Sequence, residues 1–257
     1  MRLTIALSVS MLLAAPAAAQ EACNIVPLGS ATVAAVRDGR TLLLDGGGEL
    51  RLAGIETAEH SPAALQALSG HGTLRLAGLS AARDRYGRLN AFVYAPGATR
   101  SVQETLLMQG EARVSAHVGN KACAEALLTA EKEAREAGRG LWADPNFAPL
   151  SPKDYDRLRA ERGHFTIVEG EVLSVRQSGG TLYLNFGRQW TRDFSVVIPR
   201  RHQRIFKAAG LDLKQLESRR IRVRGIIEQR RGPVIEADAP EQIELAEDVA
   251  SAHEARP

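Results

Sequence analysis

The chain has 257 residues, 44% of them hydrophobic and 25% charged, with a formal net charge of +3. That length accommodates two domains with separate cores, and the composition is that of a soluble globular protein. Two cysteines with no histidine at ligand spacing exclude a zinc site.

Arg2 precedes an apolar run over residues 3–15, and Ala17, Ala18 and Ala19 supply the small-residue pattern of a secretory cleavage site. The run is too short to span a bilayer comfortably, and no second apolar stretch follows. Residues 1–19 are therefore expected to be a signal peptide cleaved near Ala19. The mature protein is then secreted or periplasmic and free of the membrane. An oxidising compartment favours a Cys23–Cys123 disulfide; the alternative is two separately buried thiols.

Residues 31–37, 41–45 and 49–55 read as three short strands, with turns at Asp38-Gly39 and at Gly46-Gly47-Gly48. A short helix over 62–68 follows, then strands over 73–77 and 89–95. Ser101 is the expected N-cap of a helix that Gly110 ends, and Glu104 completes a capping box. Residues 121–137 have helical periodicity and stop at Gly138. Five short strands with interposed helices predict an α+β fold: a small, nearly closed β-barrel with helices packed on it, over residues 20–142. Residues 143–163, with Pro145, Pro149 and Pro152, read as a linker. Strands alternating around Leu182, Leu184 and Phe186, then Phe194, Val196 and Ile198, then Ile221 and Val223, predict a second β-rich module over 164–246. It has the OB-like pattern of a small barrel and a helix over 201–210; residues 247–257 form a polar tail.

The charge is regional. Residues 188–231 carry 13 basic against 4 acidic side chains, whereas 236–254 carry seven acids and no Lys or Arg. Such a patch attracts polyanions. Alternation in Arg220-Ile221-Arg222-Val223-Arg224 buries the aliphatics and sets Arg220, Arg222 and Arg224 on one face. Arg188, Trp190, Arg192 and the run Arg200-Arg201-His202 add charge and one aromatic. One reading of this face is a polyanion-binding surface. The other is a solvated face balanced by the acidic stretch from Glu236.

Three segments occur in a telling order: Val36-Arg37-Asp38-Gly39-Arg40-Thr41, Leu50-Arg51-Leu52-Ala53-Gly54-Ile55-Glu56-Thr57-Ala58-Glu59, and Asp84-Arg85-Tyr86-Gly87-Arg88-Leu89. With Gln109-Gly110, Val114, Glu131 and Gly140-Leu141-Trp142 they make residues 31–142 resemble the thermonuclease (staphylococcal nuclease-like) family, which has an OB-type five-stranded barrel with helices. The resemblance implies binding, and hydrolysis, of DNA or RNA phosphodiesters. It assigns phosphate binding to Arg51 and Arg88 and the catalytic carboxylate to Glu59; Tyr86 and Arg40 are read as further substrate contacts of this chain, Arg40 supplying the positive charge that calcium would otherwise bring. The residue types suit the task, because a planar guanidinium pairs two phosphate oxygens and a carboxylate can activate water. The alternative for Arg51, Glu59 and Arg88 is a surface ion-pair cluster.

The family also implies Ca2+, held here by Asp38, Glu56 and the Thr57 carbonyl. Arg40, however, stands where the family's Asp-Gly-Asp-Thr turn has its second aspartate, exchanging a charge of −1 for +1. A unit charge 4 Å from another is worth about 4 kcal/mol at an effective dielectric of 20, so ordinary calcium affinity is not expected. Ala116 and Val118 replace tyrosines that pack near the nucleotide, and Ala58 replaces a proline beside Glu59. A catalytically silent nuclease-fold protein, acting as a binding or scaffolding module, is the competing reading.

Overall fold

A computed structural model of the chain describes residues 23–58, 62–70, 72–189 and 191–246. The expected signal peptide, Glu59 and Trp190 lie outside the described residues. The first module comprises β1 (Val26–Asp38), β2 (Thr41–Leu44), β3 (Glu49–Leu52), β4 (Ile55–Thr57), α1 (Pro62–Ser69), β5 (Thr73–Gly78), β6 (Leu89–Tyr94), α2 (Val102–Gln109), β7 (Ala112–Val114) and α3 (Lys121–Glu136). Strands β1, β2, β3, β6 and β5 close into a barrel in that order, and β4 pairs with β7 outside it. Leu42, Leu50, Leu52, Leu74 and Val93 fill the barrel, while α2 and α3 seal it with Leu106, Leu107 and Leu127.

The expected strand over 49–55 is two strands. Gly54 adopts φ +76, a left-handed conformation that costs an L side chain about 1–2 kcal/mol, and its missing Cβ makes room for Leu127 Cδ1. The chain turns there and carries Glu56 away from Arg51's strand. Helix α2 begins as expected: Ser101 accepts from the Glu104 N–H, and Glu104 Oε2 accepts from the Ser101 N–H at 2.8 Å.

Cys23 and Cys123 are disulfide-bonded, tying the first described residue to the first turn of α3. The closed loop spans 100 residues of sequence separation. A Cys123→Ser variant should lose about 2–4 kcal/mol of stability, read by urea unfolding beside the oxidised parent.

The second module comprises α4 (Tyr155–Ala160), β8 (Phe165–Glu171), β9 (Ser174–Ser178), β10 (Thr181–Asn185), β11 (Ser195–Ile198), α5 (Arg200–Ala208), β12 (Arg220–Ile226), β13 (Glu228–Gln229), β14 (Pro233–Glu236) and β15 (Ile243–Leu245). A five-stranded sheet, β13-β14-β11-β10-β9, and a three-stranded sheet, β15-β12-β8, enclose one core of Leu184, Val196, Phe194, Ile221 and Val223. The stretch expected as a linker contributes Leu150 and Leu158 to that core, because Leu150 bridges to Val168 of β8. Among the described residues no helix is long and apolar enough to cross a membrane.

Candidate functional site

Arg51 sits on β3 between Leu50 and Leu52, both fully buried, so alternation turns its side chain outward. Its neighbour across the parallel β3–β6 pairing is Asn90. Arg40 follows the β1–β2 turn, which Asp38 organises by accepting the Arg40 backbone N–H at 2.9 Å. Arg88 closes a second turn built by Asp84, whose Oδ1 accepts the backbone N–H groups of Tyr86 and Arg88 at 2.9 and 3.0 Å. Asp84 Oδ2 takes the Arg88 guanidinium through Nε at 2.9 Å and Nη2 at 2.8 Å. The exposed Tyr86 ring lies beneath Arg88, 4.9 Å from its guanidinium carbon. These contacts fix the Arg88 fork while Nη1 stays outside the carboxylate pair.

The sequence places Arg40 among the expected metal ligands, and the structure shows what it does there. Its guanidinium pairs with the Glu56 carboxylate and donates from Nη1 to the Ile55 carbonyl at 3.2 Å. The other oxygen of Glu56 lies 4.0 Å from Arg51 Nη2. Asp38 is engaged by the Arg40 backbone, and Thr57 is held in the short β4–β7 ladder opposite Ala112. Among the described residues no three His, Cys, Asp or Glu side chains form a metal-binding group. Glu56 already serves the guanidinium of Arg40, Asp38 holds a backbone N–H, and a dication would face Arg40 and Arg51 at close range. Calcium does not fit this set.

The arginines feel one another. Burial, then the nearby charge of Arg40, and further on that of Arg88, lower the pKa of Arg51, with Glu56 and Asp38 opposing. The group stays protonated at neutral pH, but its charge is crowded. An anion bound at Arg51 relieves that crowding locally.

The second module forms the far wall, which the sequence did not reveal. A cleft of about 620 Å³ is lined by Arg40, Arg51 and Glu56 on the barrel and by Ile226, Glu228, Glu236 and Asp238 opposite. The loop over 115–119, where Ala116 and Val118 replace aromatics, is tied down across the cleft. His117 Nε2 lies 2.5 Å from Asp238 Oδ1, and Glu241 Oε1 accepts the N–H groups of Val118 and Gly119, each at 3.0 Å. The acidic stretch from Glu236, read as balancing charge, is thus partly a set of fasteners. Its spacing carried no signal of this, because the partners lie about 120 residues away.

Arg220, Arg222 and Arg224 do share a face; of the two readings, the polyanion-binding surface needs correction, because carboxylates answer all three, among them Glu244 of the acidic stretch. Glu169 lies opposite Arg222 on β8 and accepts from Arg220 Nε and Arg222 Nε, each at 2.9 Å. Arg224 is wholly buried against the first module, bonding both oxygens of Glu131 at 3.0 Å and the Val114 carbonyl at 2.9 Å. Glu244 completes its cage. Burial opposes the charge of Arg224, yet attraction to Glu131 and Glu244 outweighs it and raises its pKa. The Arg224–Glu131 pair joins the two modules, whereas Arg220 and Arg222 are answered within the second one by Glu169 and Glu244.

Glu131 and Glu169 have pKa values below their ordinary 4.5: burial pushes each up, but the arginines, Arg224 first for Glu131 and Arg222 first for Glu169, outweigh it. A depressed folded pKa means that the stabilisation is complete above the unfolded value and fades as pH falls through the folded one. The melting temperature is therefore expected to be flat in this respect from pH 7 down to about 5 and to drop below about 4.5. A calorimetric pH series checks this.

Residues 49–144 match the family model described as staphylococcal nuclease homologue. A search of curated proteins found no match.

Proposed function

Because residues 49–144 match the family model of staphylococcal nuclease homologues, we propose that the chain binds nucleic-acid phosphodiesters on Arg51, which lines the cleft, and on Arg88 beside it, without a bound dication. The observation that carries this is the Arg40 guanidinium seated on Glu56 and the Ile55 carbonyl, beside Arg51. It supplies positive charge at the place where the family's metal ligands would gather. Arg51 is the least neutralised of the three arginines, since Arg88 is paired with Asp84 and Arg40 with Glu56. Arg51 and the free edge of Arg88 are the phosphate donors, and Tyr86 offers its exposed ring beside them.

Hydrolysis is the second reading, favoured by the retention of both arginines. Glu59 would then orient or deprotonate the attacking water. We further propose that the chain is exported after cleavage near Ala19, which the disulfide supports.

An Arg40→Asp variant separates these roles. It should release Glu56 and create a calcium site, so that calorimetric titration detects calcium in the variant and none in the parent. Calcium binding by the parent with micromolar affinity would contradict the proposal. Arg51→Ala should weaken oligonucleotide binding at this cleft by roughly tenfold or more, the loss of one charge-assisted contact.

A further inference from the structure

The outward face of the five-stranded sheet carries a second cleft, of about 910 Å³. Register builds its floor. Ser174, Asn185 and Ser195 are neighbours across β9, β10 and β11. Asn185 Nδ2 donates to Ser174 Oγ at 3.3 Å, and Ser195 Oγ lies 3.1 Å from Asn185 Oδ1. Two residues along, Arg176, Tyr183 and Val197 form the next row. Leu182, Leu184, Val196 and Ile198 take the opposite face, into the core. Although they point away from that core, Ser195, Val197 and Val234 are only 6%, 1% and 6% exposed. The face is therefore walled, with the segments around Arg188 and 230–232 standing over its floor.

Charge makes the cleft specific. Arg176, Arg188, Arg230 and Arg231 line it, and among the described residues no acidic side chain does. On the other sheet of this module Arg220, Arg222 and Arg224 are answered by carboxylates. Arg230 is answered too, by Glu228 and Glu236 from outside the cleft. Arg176 and Arg188 are both exposed, and among the described residues neither has a carboxylate partner. A walled floor of amide and hydroxyl groups, one tyrosine ring and unanswered guanidinium groups at the rim is the chemistry that holds phosphates and a splayed base together.

We propose that this cleft is a second binding site, for single-stranded nucleic acid, with phosphates on Arg176 and Arg188 and a base stacked on Tyr183. A base turned out of a single strand reaches the floor, whereas a stacked duplex presents only its backbone. The site is separate from the Arg51 cleft and does not depend on that reading.

The test uses the full chain with Arg51→Ala and Arg88→Ala, which silences the first cleft, and a fluorescent single-stranded oligonucleotide followed by anisotropy. Binding should persist there and fall at least tenfold with R176E and R188E. Its logarithmic salt slope should shrink by about 1.4, two contacts at about 0.7 each. Tyr183→Ala should weaken binding roughly tenfold and Tyr183→Phe should not, since the ring and not the hydroxyl stacks. The proposal is overturned if the charge reversals leave affinity and slope unchanged. It is equally overturned if Tyr183→Ala, folded by circular dichroism, has no effect while a sulfated polysaccharide competes as well as DNA. Loss of all binding on removing Arg51 and Arg88 alone would reject this cleft and leave the first one standing.

Discussion

Glu131→Ala is expected to destabilise the chain by about 3–5 kcal/mol and to lower its melting temperature by roughly 10 °C. The side chain is fully buried and answers three groups at once. It accepts the Val114 N–H at 2.5 Å, the Arg135 guanidinium at 2.7 Å and both ends of the Arg224 fork. Removing it leaves Arg224, with no exposed surface, facing only Glu244 and the Val114 carbonyl. Stranding a buried charge costs far more than the pair itself contributes. Glu131→Gln keeps an acceptor for Val114 and should lose less. The damage should also reach the cleft, because Val114 leads into the 115–119 loop that Asp238 and Glu241 fasten. Thermal unfolding by circular dichroism reads the effect; a shift below about 1 kcal/mol would show that the pair does not unite the modules.

Gly110→Ala should be nearly as costly, at about 3 kcal/mol. Gly110 ends α2 in the left-handed region, at φ +77, which an alanine adopts at a cost of about 1–2 kcal/mol. A Cβ there would lie 2.1 Å from the Arg139 carbonyl oxygen, and the overpacking adds about 1–3 kcal/mol. The contact is mutual: Leu141 donates its N–H to the Gly110 carbonyl at 2.8 Å, and a Cβ on Gly140 would meet that carbonyl at 2.5 Å. Chemical denaturation checks the loss. Gln109-Gly110 and Gly140-Leu141-Trp142, two pieces of the family pattern, are thus one backbone junction that pins the end of α3 to the end of α2.

Local signals made the barrel legible. The Asp38-Gly39 turn, the capping box at Ser101 and Glu104, and the alternation around Leu50 and Leu52 each act within a few residues, where sequence spacing reports geometry. The break at Gly54 lies where Ile55 falls out of phase with Leu50 and Leu52, and the packing of Leu127 against Gly54 explains the turn. Arg40 was legible as a wrong charge in a ligand position, yet its pairing with Glu56 required β4 to fold back beside it. The face of Arg220, Arg222 and Arg224 was correctly grouped, and of its two readings the balancing by acids from the stretch after Glu236 holds in part, through Glu244. Periodicity says which residues share a face, but not that Glu131, some 90 residues earlier, is buried against it. The groove of Arg176 and Tyr183 was invisible for the same reason, since three strands must align before those side chains become neighbours.

Whether the first cleft holds phosphodiesters by arginine alone is settled most directly by oligonucleotide affinity in chelator and in calcium. The chain should carry R176E and R188E, so that the second groove is silent. Equal affinity in both buffers, lost on adding Arg51→Ala, is the predicted result. Affinity that vanishes in chelator and returns with calcium, or that ignores Arg51, would contradict it.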